Sequence, residues 1–186
     1  LEAEYWRYWA EQVRQARFAL DDAELKPYFP LPAMVTAAFE CAERLFGLRF
    51  TARTDLAGYH PDVAVYQVDS DDGTPVGLFL QDNFARPAKR SGAWMSVLAQ
   101  QHRNSADGQP QLPVVLNNNN FARGEPGTPT LLSPDDVRTL FHEFGHGLHG
   151  LLSNVGYRRM SGTQVLRDFV ELPSQINEQW VFTREL

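Results

Sequence analysis

The chain has 186 residues, of which 43% are hydrophobic and 22% are charged. This composition is typical of one globular domain and argues against disorder. The formal net charge of −6, together with the lack of any long lysine or arginine run, argues against a nucleic-acid partner. No segment approaches the roughly 20 apolar residues of a membrane span, so no membrane partner is expected.

Cys41 is the single cysteine of the chain, which excludes an internal disulfide and a thiolate metal cluster. It lies in an apolar-periodic run over residues 34–46, so we expect a buried structural thiol, compatible with a reducing, cytoplasmic location. Residues 1–6 lack the basic and apolar regions of a signal peptide. They also lack an initiator methionine, so we expect the chain to be part of a longer protein.

Helices and strands are both predicted in the first half of the chain. Apolar residues recur at helical spacing over residues 2–20, and a second helix over about 32–46 ends at Gly47. Three strands follow, over residues 48–54, 63–69 and 75–81. Asp71, Asp72 and Gly73 predict a hairpin turn between the last two.

The second half begins with a polar loop over residues 86–92, and a short helix is predicted over 93–101. A buried strand is predicted over residues 112–116, and the asparagines at 117–120 are interpreted as its cap or as a turn. Ser133, Pro134 and the acidic residues after them predict a helix that runs to about Leu152. A last helix is predicted over residues 164–184. These elements indicate an α+β fold that is mainly helical, with a small β-sheet.

Residues 141–150 read FHEFGHGLHG and contain the pattern HExxH. On a helix, His142 and His146 lie on one face and can direct two imidazole nitrogens at one divalent ion. Glu143 flanks this pair and is predicted to be the general base that takes a proton from metal-activated water. The pattern is short, but the strong helix start and the flanking apolar residues favour zinc hydrolysis over a structural histidine pair.

A catalytic zinc normally takes three protein ligands. His149 lies seven positions after His142, about 10 Å along a helix axis, so it is interpreted as a packing or supporting histidine. Asp168, Glu171 and Glu178 are the candidate acids of the last helix. Glu171 is favoured over Asp168 as the third ligand because its neighbours are apolar and an unpaired carboxylate there would be costly. Asp168 is predicted to orient a ligand histidine, and Glu178 to do the same or to pair with an arginine.

Four other residues receive less specific interpretations, two within or beside the pattern and two earlier in the chain. Gly145 and Gly147 each cost the helix about 1 kcal/mol relative to alanine, which indicates close approach by a neighbouring backbone or by substrate, with simple tolerance as the alternative. Trp94 and Met95 are interpreted as core residues.

Several segments, taken in order, resemble the thimet oligopeptidase family, which includes oligopeptidase A and the bacterial peptidyl-dipeptidases. The segments that carry this resemblance are residues 25–29, 42–48, 59–63, 89–95, 141–149 and 161–180. Residues 92–95, Gly-Ala-Trp-Met, resemble the dipeptidyl carboxypeptidase branch in particular.

The resemblance implies one Zn²⁺ per chain held by His142, His146 and Glu171, with Glu143 as general base. It also implies a zincin-like catalytic domain, hydrolysis of peptide bonds in short peptides, and a channel that excludes folded proteins. Two alternatives stay open. One is an amide hydrolase with another substrate, and the other is a non-catalytic module that is stabilised by zinc or binds peptides.

Members of the family are several times longer than this chain. Residues 1–186 are therefore expected to be part of one zinc metallopeptidase catalytic domain. The family's N-terminal helical region, and the C-terminal tyrosine and histidine that bind substrate, have no counterpart here. Because such groups can be worth ~10²–10³ in rate each, the isolated chain is expected to bind zinc with weak or no turnover.

Overall fold

The computed structural model describes residues 5–18, 22–106 and 108–183. Its helices are α1 (Trp6–Phe18), α2 (Asp22–Leu25), α3 (Leu31–Phe46), α4 (Pro134–Leu151) and α5 (Leu172–Glu178). Its strands are β1 (Leu48–Ala52), β2 (Val63–Ser70), β3 (Pro75–Phe84), β4 (Trp94–Ala99) and β5 (Val114–Phe121). Short 3-10 turns cover Lys26–Tyr28, Arg158–Met160 and Gln179–Phe182. Within the described ranges, no helix is long and apolar enough to cross a bilayer.

The strands form one five-stranded sheet in the order β1-β2-β3-β5-β4. Strands β3 and β5 are parallel, whereas the other neighbours are antiparallel. Gly73, with a φ of 83°, lies in the turn that joins β2 to β3, as the sequence predicts. This order makes β4 an edge strand, with β5 as its partner on one side.

One face of the sheet is covered by helices α3 and α4. Their aromatic side chains meet those of the sheet: Phe39 of α3 stacks on Phe50 of β1 at 4.2 Å between ring centroids, and Phe144 of α4 lies 5.5 Å from Phe79 of β3. A smaller apolar cluster contains residues of β2, β3 and β5, including Val65, Leu80 and Leu116. The large aromatic cluster fixes α4 against the sheet.

The α+β class is confirmed, as are several local predictions. Helix α3 ends at Gly47, whose φ of 66° is the left-handed conformation that suits glycine. Cys41 is buried within the core. Helix α1 lies inside the predicted range 2–20, of which residues 2–4 and 19–20 fall outside the described ones, and its Tyr8 and Trp9 side chains are exposed.

Two predictions around the edge strand are wrong. Residues 93–101 do not form a helix, because residues 94–99 are β4 and pair antiparallel with β5. The asparagines at 117–120 are neither a cap nor a turn, since they continue β5 between β3 and β4. In both places pairing with neighbouring strands overrides the local preference of the residues.

The prediction of one long helix over residues 164–184 is also wrong. Residues 167–171 form turns, and helix α5 begins only at Leu172, with Pro173 in its first turn. Proline is tolerated in the first turn because the N–H that it lacks would have no partner within the helix there. Its ring would clash with a preceding helical turn, so the helix cannot extend further back. Pro173 therefore separates α5 from the turns before it, and residues 184–186 fall outside the described part of the chain.

Asp82, near the end of β3, is fully buried. Arg86 donates two hydrogen bonds to its carboxylate at 2.6 and 2.5 Å, Tyr59 donates its hydroxyl at 2.6 Å, and Lys89 donates at 3.2 Å. Burial by itself would raise the pKa of Asp82, but these donors outweigh it and lower the pKa to about 2. The network ties the loop after β3 to the sheet.

The depressed pKa of Asp82 predicts a pH dependence of folding. The ionised Asp82 contributes roughly 2 kcal/mol to the free energy of unfolding when the pH is above 3.8, the pKa of an ordinary aspartate. This contribution is lost as the pH falls to about 2, the pKa of Asp82 in the folded protein. The variant Asp82→Asn should be less stable at neutral pH and should lose less stability between about pH 4 and pH 2. Urea titrations across this range measure both effects. Asp71→Asn, at an exposed position of the hairpin turn, is the matched control and should behave like the unchanged protein.

Candidate metal centre

Helix α4 carries the HExxH pattern and has a well-defined start. The Ser133 hydroxyl accepts a hydrogen bond from the Asp136 backbone N–H at 3.1 Å, and the Asp136 carboxylate accepts one from the Ser133 N–H at 2.9 Å. This is the reciprocal capping box. Leu140, Phe141 and Phe144 are each 1% exposed. Their packing holds the helix in the orientation that directs His142 and His146 towards Glu171.

Three side chains converge at this helix. His142 Nε2 lies 3.2 Å from Glu171 Oε2, and His146 Nε2 lies 3.0 Å from the same oxygen. The ligand atoms of all three residues lie within 4.8 Å of one another. Two ligands at 2.0–2.1 Å from one ion in tetrahedral geometry lie about 3.3–3.4 Å apart. The spacing and the N,N,O donor set therefore fit a single divalent ion.

Glu171 reaches the histidines from the turn that precedes α5. Ser174 donates its hydroxyl to Glu171 Oε2 at 2.8 Å and to the Glu171 carbonyl at 2.9 Å. Burial opposes ionisation, but Ser174 and the two histidines together lower the pKa of Glu171. The side chain is 49% exposed, so the sequence argument that an apolar environment demands a partner for it does not hold.

Glu143 is buried beside the converging donors. Burial is the main cause that raises its pKa to about 7, the nearby Glu171 carboxylate adds to this, and His142 opposes it. Its Oε2 atom has no hydrogen-bond partner among the described residues. A carboxylate with a raised pKa and a free oxygen is suited to exchanging protons near neutral pH.

Glu178, at the C-terminal end of α5, contacts the other nitrogen of the first histidine. His142 Nδ1 donates to Glu178 Oε1 at 2.5 Å, and Arg138 Nε donates to Glu178 Oε2 at 2.5 Å. A proton on Nδ1 leaves the Nε2 lone pair of His142 directed towards Glu171. The structure thus gives Glu178 both of the contacts that the sequence left as alternatives.

Asp168 and His149 lie apart from this cluster. Asp168 is exposed in the turn region before α5, and no hydrogen bond or ion pair joins it to either histidine within the described residues. His149 lines an apolar groove of about 560 Å³ that contains none of the three donors. Its ring packs 6.3 Å from Phe169, which agrees with a packing role.

A cavity of about 380 Å³ opens beside the donors. Besides His142, Glu143, His146 and Glu171, it is lined by Ala93, Trp94, Met95, Thr163 and Val170. The start of β4 is therefore a wall of the site. Met95 also packs against the main hydrophobic core, as the sequence predicts, whereas Trp94 is not part of that cluster among the described residues. Ser174 and Arg138 were also missed, because nothing in their local sequence shows which carboxylate they contact.

Comparison with known proteins places the chain in a family. A sequence model of Peptidase family M3 matches residues 4–186, so the chain belongs to this family. It is 47% identical over 176 residues to the dipeptidyl carboxypeptidases of Salmonella typhimurium and Escherichia coli, which is 94% of this chain and 25% of each relative. It is 40% identical over 179 residues to oligopeptidase A of Salmonella typhimurium, which is 96% of this chain and 26% of that protein. The chain thus spans about a quarter of the length of these relatives.

The contact between His142 and Glu178 predicts an effect on metal affinity. Glu178→Gln keeps the shape but removes the charge that holds the Nδ1 proton, so the affinity of these donors for a divalent ion should fall by about 10- to 100-fold. Competition with a fluorescent zinc chelator measures this affinity. Gln175→Glu, at an exposed position of the same helix, changes a side chain on α5 without touching His142 and should leave the affinity unchanged.

Proposed function

We propose that this chain is the zinc-binding part of a zincin-like catalytic domain that hydrolyses peptide bonds in short peptides. The observation that carries this proposal is the approach of His142 Nε2 and His146 Nε2 to one Glu171 oxygen at 3.2 and 3.0 Å, with the buried Glu143 beside them. Membership of Peptidase family M3 supports the same reaction class.

The donor set supports one zinc ion per chain, held by His142, His146 and Glu171. Burial lowers the pKa of His146, which favours the neutral imidazole that can act as a ligand. When bound, zinc supplies a Lewis acid that acidifies water and polarises the scissile carbonyl. Imidazole and carboxylate donors also suit other divalent metals. The choice of zinc among them is based on the ligand type and on metal availability.

Glu143 is proposed as the general base. Its unpartnered Oε2 accepts the proton of the attacking water, and the resulting carboxylic acid then delivers that proton to the leaving amine. Burial raises the pKa of Glu143 above that of an exposed carboxyl, which makes its carboxylate a better proton acceptor. No covalent intermediate with the protein is required.

The mode of cleavage and the substrate class of the whole protein are proposed from the named relatives and from the size of the cavity. Proteins named dipeptidyl carboxypeptidase and oligopeptidase A both match, so release of carboxyl-terminal dipeptides and internal cleavage are both compatible with this site. A cavity of about 380 Å³ is within the size range of sites for small ligands, which supports short peptides as substrates. The cytoplasmic location stays a prediction.

The ligand set is tested by substitution in the full protein that carries these residues. His142→Ala, His146→Ala and Glu171→Ala should each abolish stoichiometric zinc binding, because two remaining donors hold the ion poorly. His149→Ala, on the same helix but outside the cluster, should keep one zinc per chain. Elemental analysis after dialysis measures the ratio. Retention of zinc by Glu171→Ala would contradict the proposed centre.

Glu143→Gln separates an enzyme from a zinc-stabilised or peptide-binding module. The variant should keep its zinc and lose at least 10²-fold in kcat, since general acid–base catalysis contributes typically 10²–10⁴-fold. Digestion of a peptide library followed by mass spectrometry gives the rate, and the products distinguish peptidase action from hydrolysis of another amide. Glu40→Gln, at an exposed position of α3, is the control. Unchanged peptide cleavage by Glu143→Gln would rule out the proposed base.

A further inference from the structure

Thr163 lines the cavity of about 380 Å³ that also contains the candidate metal ligands His142, His146 and Glu171. Its side chain is partly buried, and its hydroxyl forms no hydrogen bond with any of the described residues. A hydroxyl group is both a donor and an acceptor. Thr163 therefore brings an uncommitted hydrogen-bonding group to the proposed active site.

The turn that carries Thr163 is fixed against the end of α4. Ser153 Oγ accepts hydrogen bonds from the Gly162 N–H at 3.0 Å and from the Ser161 hydroxyl at 3.2 Å. Gly162 has a φ of 53°, and a Cβ atom there would lie 3.1 Å from the Gly150 Cα of α4. The turn thus lies directly on the helix that carries the HExxH pattern. Because its backbone is held, little conformational entropy is lost when Thr163 binds a ligand.

The ionisable side chains of the cavity offer acceptors rather than donors. The carboxylates of Glu143 and Glu171 are acceptors when ionised. Nδ1 of His142 donates to Glu178, and Nδ1 of His146 is buried, so neither ring presents that nitrogen to the cavity. The Nε2 atoms of both rings face Glu171 as proposed metal ligands.

Trp94 also lines the cavity, but its indole ring lies on the other side of the sheet. Successive side chains of a strand point to opposite faces, and the neighbouring Met95 packs in the core beneath α4, 3.6 Å from the position of a Cβ atom at Gly150. Among the described residues that line the cavity, Thr163 is therefore the one whose side chain can donate a hydrogen bond to a bound ligand.

A peptide that enters this cavity brings backbone carbonyl oxygens, which need donors when their water is displaced. We propose that Thr163 binds the substrate by donating its hydroxyl to one of these carbonyl oxygens. This assignment rests on the proposed peptidase function and makes Thr163 a substrate-binding residue. Every peptide carries such a carbonyl, so the contact recognises the peptide backbone and does not depend on the substrate's side chains.

Thr163→Val and Thr163→Ser test this role in the zinc-loaded full protein. Valine has nearly the same shape without the hydroxyl, so KM for a short peptide should rise about 10-fold while kcat stays within about twofold, as expected when a contact made in both the ground state and the transition state is lost. Serine keeps the donor and should keep KM close to that of the unchanged protein. Thr36→Val, at an exposed position of α3, makes the same chemical change away from the cavity and is the matched control.

The division between KM and kcat separates this role from a structural one, because a loss of folded or zinc-loaded protein would lower kcat and leave KM unchanged. Binding without turnover gives a second measurement. In a Glu143→Gln background, Thr163→Val should weaken binding of the same peptide by about 10-fold in isothermal titration calorimetry.

An unchanged KM and Kd in Thr163→Val, or an equal rise of KM in Thr163→Ser, would overturn the role of Thr163 and leave the peptidase proposal standing. Failure of the unchanged, zinc-loaded protein to cleave any peptide of a library would overturn the peptidase proposal itself.

Discussion

The close approach of α5 to α4 at Gly145 is the constraint on which the candidate site depends. A Cβ atom at this position would lie 2.7 Å from the Ser174 Cα and 2.9 Å from the Pro173 carbonyl oxygen, closer than packed atoms come. Asn177 holds the same contact from α5 by donating to the Phe141 carbonyl at 2.6 Å. Any side chain at Gly145 would push the two helices apart and move the acids of α5 away from the histidines.

Helix α5 supplies an acid at each of its ends. Glu171 immediately precedes the helix and faces Nε2 of His142, whereas Glu178 is its last residue and accepts from Nδ1 of the same ring. The imidazole is therefore oriented by one short element that approaches both of its nitrogens. Ser174 donates a hydrogen bond to the Glu171 carboxylate, and Arg138 donates one to the Glu178 carboxylate. These contacts fix the positions of the two acids.

What the sequence predicts well is local. The start of α4, the one-face arrangement of His142 and His146, and the end of α3 depend on spacing and capping within a few residues, and the structure has them where they are expected. Strand β4 and the asparagine stretch of β5 depend on pairing between distant segments, which no local pattern carries. Glu171 was selected on a premise of burial that the structure contradicts, although its position next to both histidines is close enough for a ligand.

The brevity of α5 has a consequence for how the centre assembles. A helix of seven residues is too short to persist alone in water, and Gly145, which allows its close approach, also weakens α4. The acid half of the site therefore exists only in the docked protein, and an ion held by the proposed ligands would add its binding free energy to that docking. Under this proposal, metal uptake and the final ordering of this part of the chain would be linked equilibria, so the supply of the ion would help to decide how much of the chain is fully folded.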